Sequence, residues 1–197
     1  MARDRTTSSA GKLRIIGGSL RGSKLAIPEF PGLRPTPDRV RETLFNWLMP
    51  VIEGARCLDL FAGTGALGIE ALSRGAAWVD FVERDAALAR DLRENLARLR
   101  QTQFQVSVAD GTQLFDTPAP ATFDIVFVDP PFSAGLWESV AIKLESAGCL
   151  RAGSLVYLEM PIDENPALPE TWELHRESRA GAVRYALYRR SGPSAKL

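Results

Sequence analysis

The sequence has 197 residues, 45% of them hydrophobic, so one sizeable core can form and a disordered chain is excluded. No apolar run approaches membrane-spanning length and the polar N-terminus lacks a signal segment, so we expect a cytoplasmic protein. The two cysteines, Cys57 and Cys149, indicate neither a disulfide framework nor a zinc site, and we expect no metal.

The formal net charge is zero, but the charged residues are unevenly distributed along the chain. Residues 1–47 hold nine basic and four acidic residues, a net charge of +5, which leaves −5 on the remainder. A cationic segment on a mildly anionic body is typical of a protein that docks a polyanion at one end, most commonly nucleic acid. A segment whose charges are merely solvated gives the same pattern.

The N-terminal region predicts a tail followed by a ribbon. Residues 1–11 are short, polar and terminal, so we predict a disordered tail there and a second tail over 191–197. Two β-rich runs, 13–16 and 24–27, are separated by glycines, which favours an antiparallel ribbon within a basic extension over residues 12–36. The candidate nucleic-acid contacts in and beside this extension are Arg14, Arg21, Lys24, Arg34 and Arg39.

A helix is predicted to follow the extension. Four prolines between residues 28 and 37 keep the connection extended, and Asp38 places a carboxylate near the helix start, where it suits the dipole. Apolar residues at every fourth position from Val40 to Leu48 predict one buried face. This arrangement leaves Arg39 and Arg41 for solvent or a ligand.

The main body, assigned to residues 37–190, alternates strands with helices. The almost continuous apolar run at 123–128 is typical of a central parallel strand covered on both faces. The alternation predicts an α/β fold with a doubly wound, Rossmann-like parallel sheet, closed by a C-terminal antiparallel hairpin. The predicted strands are 57–60, 78–82, 104–108, 123–128 and 155–159, the helices are about 66–74, 86–100 and 136–147, and the hairpin strands are 172–177 and 183–189.

A glycine motif follows the first of these strands. Gly63, Gly65 and Gly68 have the G-x-G-x-x-G spacing of a strand, a tight turn and a helix that bind a nucleotide-like cofactor, although such glycines often serve only the turn. Glu83 follows the next strand, twenty residues after Gly63, where a carboxylate accepts hydrogen bonds from ribose hydroxyls. Asp110 follows the third strand and either accepts from an adenine amino group or only forms a turn.

The strongest signal is the run of Asp129, Pro130, Pro131 and Phe132 directly after the central strand. The prolines fix an extended bend, which leaves the Asp129 carboxylate and the Pro130 carbonyl as acceptors for the two donors of an exocyclic amine. Phe132 supplies a flat face on which an extruded base stacks. Ligands of open α/β sheets bind beyond the carboxyl ends of the strands, so this run is expected to share one crevice with the glycine turn.

Together these motifs resemble the class I S-adenosylmethionine-dependent methyltransferases that act on amino groups of bases. The N-terminal RIIGG, RGSKL and RPTPDRVRETLFNWL, with DLFAGTGALGIEALSRGA, further resemble the bacterial 16S ribosomal RNA guanine-N2 methyltransferase family known as RsmD. This resemblance runs from about Lys12 to the end of the strand at 123–128, and more loosely to the terminus. The class I motif residues are Asp59, Phe61, Gly63 and Gly65 in D-x-F-x-G-x-G, then Glu83, Asp110 and D-P-P-F.

The resemblance implies methyl transfer from S-adenosylmethionine to the N2 amine of guanine 966 in 16S rRNA. It also implies that the partner is 16S rRNA, either as naked RNA or within the small ribosomal subunit or its assembly intermediate, with the basic extension on RNA, and we expect a monomer. The methionine carboxylate of the cofactor would meet the backbone N–H groups around Gly63 to Gly65. Asp59 would lie near its amino group, Glu83 on the ribose and Asp110 on the adenine. Asp129 would accept the proton of the base amine.

Three alternatives stay open from the residues themselves. Adenine-N6 methylation of DNA or RNA suits D-P-P-F equally, although little chain remains for a separate DNA-reading domain. An NAD-dependent oxidoreductase accounts for the glycines and Glu83 but leaves the run at 129–132 unexplained. An RNA-binding module with an inactive cofactor fold is the non-enzymatic alternative.

Overall fold

The computed structural model describes residues 12–27, 36–115 and 121–192. The predicted tail over residues 1–11 lies outside the described residues, as do most of the tail at 191–197, Arg34, and the prolines at 28, 31 and 35.

The strands and helices follow the predicted order. Their bounds agree with the predictions to within two residues, except that β7 begins five residues earlier and β8 ends three residues later. A short 3₁₀ helix over Phe132–Ala134 was not predicted. The strands are β1 Lys12–Arg14, β2 Lys24–Ala26, β3 Arg56–Asp59, β4 Trp78–Glu83, β5 Phe104–Val108, β6 Phe123–Val128, β7 Leu150–Pro161, β8 Trp172–Ala180 and β9 Val183–Arg190, and the helices are α1 Asp38–Leu48, α2 Ala66–Ser73, α3 Ala86–Arg98 and α4 Trp137–Ser146.

The main sheet has seven strands in the order β5-β4-β3-β6-β7-β9-β8. The first five are parallel, and β9 is antiparallel to both β7 and β8. The chain moves outward from β3 in one direction and from β6 in the other, so the order reverses between these two central strands. The doubly wound sheet, its C-terminal hairpin and the separate β1–β2 ribbon are therefore confirmed, and the reversal marks the place where such sheets bind ligands.

Two apolar clusters cover the faces of the sheet. One contains buried residues of α1, α2 and α3, and the other contains those of α4. Cys57 and Cys149 are buried as free thiols, one in each cluster. Within the described ranges, no helix is both long and apolar enough to cross a bilayer.

A buried ion pair joins the β1–β2 ribbon to the main body. Glu70 of α2 is wholly buried and accepts hydrogen bonds from the N–H groups of Ile16 and Gly17, each at 2.8 Å. Arg41 lies 3.5 Å from Glu70 and also donates to the Arg14 carbonyl. The expectation that Arg41 faces solvent or a ligand is wrong, because the buried side of α1 is wider than the apolar stripe and Glu70 supplies a counter-charge.

Helix α2 approaches β4 closely at Gly68, where a Cβ would lie 2.1 Å from Cε1 of Phe81. Alanine favours a helix over glycine by about 1 kcal/mol, whereas overpacking a core costs about 1–3 kcal/mol. We expect Gly68→Ala to lower the free energy of unfolding by about 1–2 kcal/mol, measured by urea denaturation. In a Phe81→Leu background the loss should shrink. An equal loss in both backgrounds would show that this contact is not its cause.

Candidate active site

The loops that follow β3, β5 and β6 begin at the same end of the sheet. The Leu60 N–H donates to the Phe127 carbonyl at 3.1 Å, so the chains leaving β3 and β6 start side by side. The loop after β5 lies against the loop after β3, since a Cβ on Gly111 would lie 2.5 Å from the Leu60 carbonyl oxygen and 3.2 Å from Phe61. The residues predicted for cofactor binding and for catalysis are thus brought to one edge.

The glycine turn is closed by its own hydrogen bonds. Gly63 and Gly65 have φ values of +51° and +75°, which glycine adopts readily. The Gly65 N–H donates to the Ala62 carbonyl at 2.7 Å, and the Gly63 N–H donates to Glu83 Oε2 at 2.8 Å. Both groups are therefore engaged within the protein, and the contact of the methionine carboxylate with the N–H groups around this turn stays a prediction. What the turn offers is backbone without side chains, which a ligand can approach closely.

Glu83 and Asp110 each keep hydrogen-bonding capacity for a ligand. The Glu83 carboxylate accepts from the N–H groups of Gly63 and Asp85, one on each oxygen, and each oxygen has a second lone pair. Asp110 Oδ1 accepts from the N–H and hydroxyl of Thr112 at 2.8 and 2.7 Å. These bonds lower the pKa of Asp110, so the carboxylate is ionised at neutral pH.

Asp59 is the most deeply buried of the motif carboxyl groups. Its Oδ2 accepts from the Gly68 N–H at 3.0 Å. Burial raises the pKa of Asp59 to about 7; the Gly68 bond lowers it and the nearby charge of Glu83 raises it further. This edge of the sheet therefore combines several carboxyl groups in a poorly hydrated setting.

The run from Asp129 to Phe132 presents two acceptors and an aromatic face. Burial raises the pKa of Asp129 well above its ordinary value, and the carboxyl groups of Glu159 and Asp59 raise it further. The Pro130 carbonyl has no hydrogen-bond partner in the part of the chain that the structure describes. Pro131 accepts from the Ala134 N–H at 3.0 Å, and this turn leaves the Phe132 ring 39% exposed.

Comparison with known proteins identifies the family. The family model described as "Conserved hypothetical protein 95" matches residues 13–189. The chain belongs to this family. "Ribosomal RNA small subunit methyltransferase D" of Escherichia coli (strain K12) is 50% identical over 184 residues, covering 93% of this chain and 92% of that protein. The protein of the same name from Haemophilus influenzae is 44% identical over 191 residues, covering 95% and 99%.

Solved structures agree with this assignment. The structure of yhhF from Escherichia coli has a TM-score of 0.85 at 46% identity and covers 92% of this chain and 99% of that chain. HI0767 from Haemophilus influenzae has a TM-score of 0.80 at 41% identity, with the same two coverages. The resemblance to RsmD and the class I methyltransferase fold are thereby confirmed.

Two residues of this family member were missed by the sequence analysis. Thr36 precedes α1 and its hydroxyl donates to Asp129 Oδ2 at 3.3 Å. Glu159 lies in β7 and its Oε2 accepts from the Tyr157 hydroxyl at 2.8 Å. A signal for Glu159 was present, since it is the one acidic residue in the apolar run at 155–160, next to the strand that ends at D-P-P-F.

The predicted nucleic-acid contacts that can be located are exposed. Arg14, Arg21, Lys24 and Arg39 all reach solvent. Arg14 and Arg21 line a cleft of about 390 Å³ with Arg74, and no strand-end carboxylate of the sheet lines it. Arg39 instead lies in the first turn of α1, three residues after Thr36.

No metal site accompanies these residues in the described parts of the family member. Across residues 12–27, 36–115 and 121–192, no group of three or more His, Cys, Asp or Glu side chains could hold an ion.

Proposed function

We propose that this protein transfers a methyl group from S-adenosylmethionine to the exocyclic amine of a guanine in 16S rRNA, in the cytoplasm. The observation that carries the proposal is that Asp129 lies beside the glycine turn together with the Pro130 carbonyl, which has no hydrogen-bond partner among the described residues. These are two acceptors for the two N–H donors of one amine. The assignment to small-subunit ribosomal RNA follows from the names of the Escherichia coli and Haemophilus influenzae relatives.

The residues at the strand ends fit S-adenosylmethionine. Its sulfonium and ammonium groups are cations, and the edge of the sheet carries the carboxyl groups of Asp59, Glu83, Asp110 and Asp129. The same carboxyl groups repel the negatively charged pyrophosphate of NAD. The Gly63 and Gly65 N–H groups, which could otherwise bind that pyrophosphate, are already hydrogen-bonded within the protein. Glu83 would hold the ribose hydroxyls and Asp110 the adenine amine, through their remaining lone pairs.

When bound, the cofactor supplies an electrophilic methyl group. The protein's own contribution is to position and polarise the base amine, with no protein nucleophile. Hydrogen bonds to Asp129 and the Pro130 carbonyl draw the nitrogen lone pair out of conjugation with the ring, and Asp129 takes the departing proton. The exposed Phe132 ring supports the base by stacking.

The exposed basic residues of the ribbon suit the phosphates of the same RNA. Arg14, Arg21 and Lys24 stand on an element that is fixed to the body through Glu70, so their positions relative to Asp129 are set by the fold.

Nucleoside mass spectrometry of ribosomal RNA tests the proposal. RNA from cells lacking the protein should contain less N2-methylguanosine, and purified protein with S-adenosylmethionine should restore it. Naked rRNA and isolated small subunits, offered separately, identify the form of the substrate. Loss of N6-methyladenosine in place of N2-methylguanosine, or no change in either nucleoside, would overturn the assignment of guanine.

A further inference from the structure

The hydrogen bonds to the Asp110 side chain all fall on one of its two oxygens. The N–H and the hydroxyl of Thr112 both donate to Oδ1, at 2.8 and 2.7 Å. No residue in the described part of the chain donates to the other oxygen, Oδ2. Two donors on one oxygen fix the rotation of the carboxylate and leave the lone pairs of Oδ2 for a ligand. Asp110 is partly exposed, so a ligand can reach this oxygen.

The residues on both sides of Asp110 are fixed against the loops after β3 and β4. The Ala109 N–H donates to the Glu83 carbonyl at 3.1 Å. Gly111 is buried, and a Cβ there would lie 2.5 Å from the Leu60 carbonyl oxygen. The backbone of Asp110 is therefore set relative to both loops, and only the rotation of its side chain is left for other residues to determine.

Lys143 of α4 ties Thr112 to the body of the fold. Its Nζ donates to the Thr112 carbonyl oxygen at 2.5 Å, across 31 positions of the chain. The helix that carries Lys143 is itself anchored, because the neighbouring Leu144 is buried in the apolar cluster on that face of the sheet. The pKa of Asp110 is lowered by the Thr112 hydrogen bonds and further by nearby positive charges, so a donor from the ligand meets an ionised carboxylate.

We propose that Thr112 is a positioning residue that directs Asp110 Oδ2 to the adenine amino group of S-adenosylmethionine, and that Lys143 holds Thr112 in place for this role. The inference rests on the proposed function, in which Asp110 accepts a hydrogen bond from that amino group. A carboxylate gains this bond from adenine and gains none from a purine without the amino group. Thr112 therefore determines how strongly the protein selects adenine, whereas other residues bind the rest of the cofactor.

Selectivity for the adenine amino group tests this role without methyl transfer. The two probes are S-adenosylhomocysteine and its purine analogue, which carries hydrogen in place of the amino group, and calorimetry gives both dissociation constants. Wild type should prefer the adenine compound by about 10- to 100-fold, as expected for one hydrogen bond to a charged group. Thr112→Val keeps the side-chain shape and the backbone N–H but removes the hydroxyl, so the preference should fall by about 3- to 10-fold.

Three further variants separate positioning from a general effect on the loop. Thr112→Ser keeps the hydroxyl and should keep the wild-type preference. Lys143→Met releases the Thr112 carbonyl and should lower the preference. The matched control is Thr102→Val, which makes the same change at an exposed threonine whose hydroxyl donates to the Gln103 side chain, and it should leave both affinities unchanged.

The outcomes distinguish this inference from the proposed function. An unchanged preference in Thr112→Val, or an equal loss of affinity for both compounds, would reduce Thr112 to a structural role and overturn the inference alone. Equal affinity of the wild type for both compounds would overturn the placement of Asp110 on the adenine, and the inference with it. A wild-type protein that binds neither compound would overturn the proposed function itself.

Discussion

Replacing Asp129 by alanine is expected to lower kcat for methyl transfer by a factor of about 10²–10⁴, the range for a lost general base that also orients its substrate. The Pro130 carbonyl remains, but a single acceptor cannot hold both N–H groups or take the departing proton. Cofactor affinity should change little, because Glu83 ends β4 and Asp110 follows β5, two strands other than the one that leads to Asp129. Initial rates with radiolabelled S-adenosylmethionine and small ribosomal subunits, together with calorimetric titration of the cofactor, measure the two effects separately.

The free energy of unfolding distinguishes this loss from a damaged fold. Because the pKa of Asp129 is raised in the folded state, stability is lost as pH rises from about 4 through the folded pKa, so Asp129→Ala should not be less stable than wild type at pH 8. Asp163→Ala, which removes an exposed carboxylate, is the matched control and should retain the wild-type rate. Full activity in Asp129→Ala, or a parallel loss of cofactor binding, would contradict the assigned role.

The predictable part of the site lies in short stretches of sequence. A tight turn after a strand requires glycines such as Gly63 and Gly65 locally, and D-P-P-F fixes its own bend, so both can be recognised without knowing the fold. The alternation of strands and helices then places them at the same edge of the sheet. The roles assigned to these residues stay predictions that the experiments above test.

The unpredicted features arise where elements distant in sequence meet. Thr36 and Asp129 are 93 residues apart, and only the folded chain brings them within hydrogen-bond distance. In the sequence, Arg41 and Glu70 look like ordinary charged residues on the exposed faces of helices. The spacing of apolar residues does not show which polar side chains find hydrogen-bond partners in the protein interior.

The buried pair of Arg41 and Glu70 carries the second large prediction. Both side chains are wholly buried, and Glu70 also accepts hydrogen bonds from Ile16, Gly17 and Arg74. Glu70→Ala leaves Arg41 without its buried partner and two backbone N–H groups of the ribbon without acceptors. We expect the free energy of unfolding to fall by about 3–5 kcal/mol, a large share of the 5–15 kcal/mol of a typical domain. Urea denaturation followed by tryptophan fluorescence measures this loss.

Glu94→Ala on α3 is the matched control, because Glu94 is 73% exposed and lies 4.0 Å from an equally open Arg90, so its removal should cost less than about 0.5 kcal/mol. Should Glu70→Ala fail to fold, Glu70→Gln keeps the length and one acceptor oxygen, and amide hydrogen exchange at Ile16 and Gly17 then reports the loosened ribbon. If Glu70→Ala lowered the free energy of unfolding as little as the control does, Asp38 and the carbonyls of Arg14 and Thr36 would be sufficient to stabilise the buried Arg41 side chain. In that case the ribbon would have to be held by its contacts with Ser73 and α3, and exchange at Ile16 and Gly17 would stay as slow as in wild type.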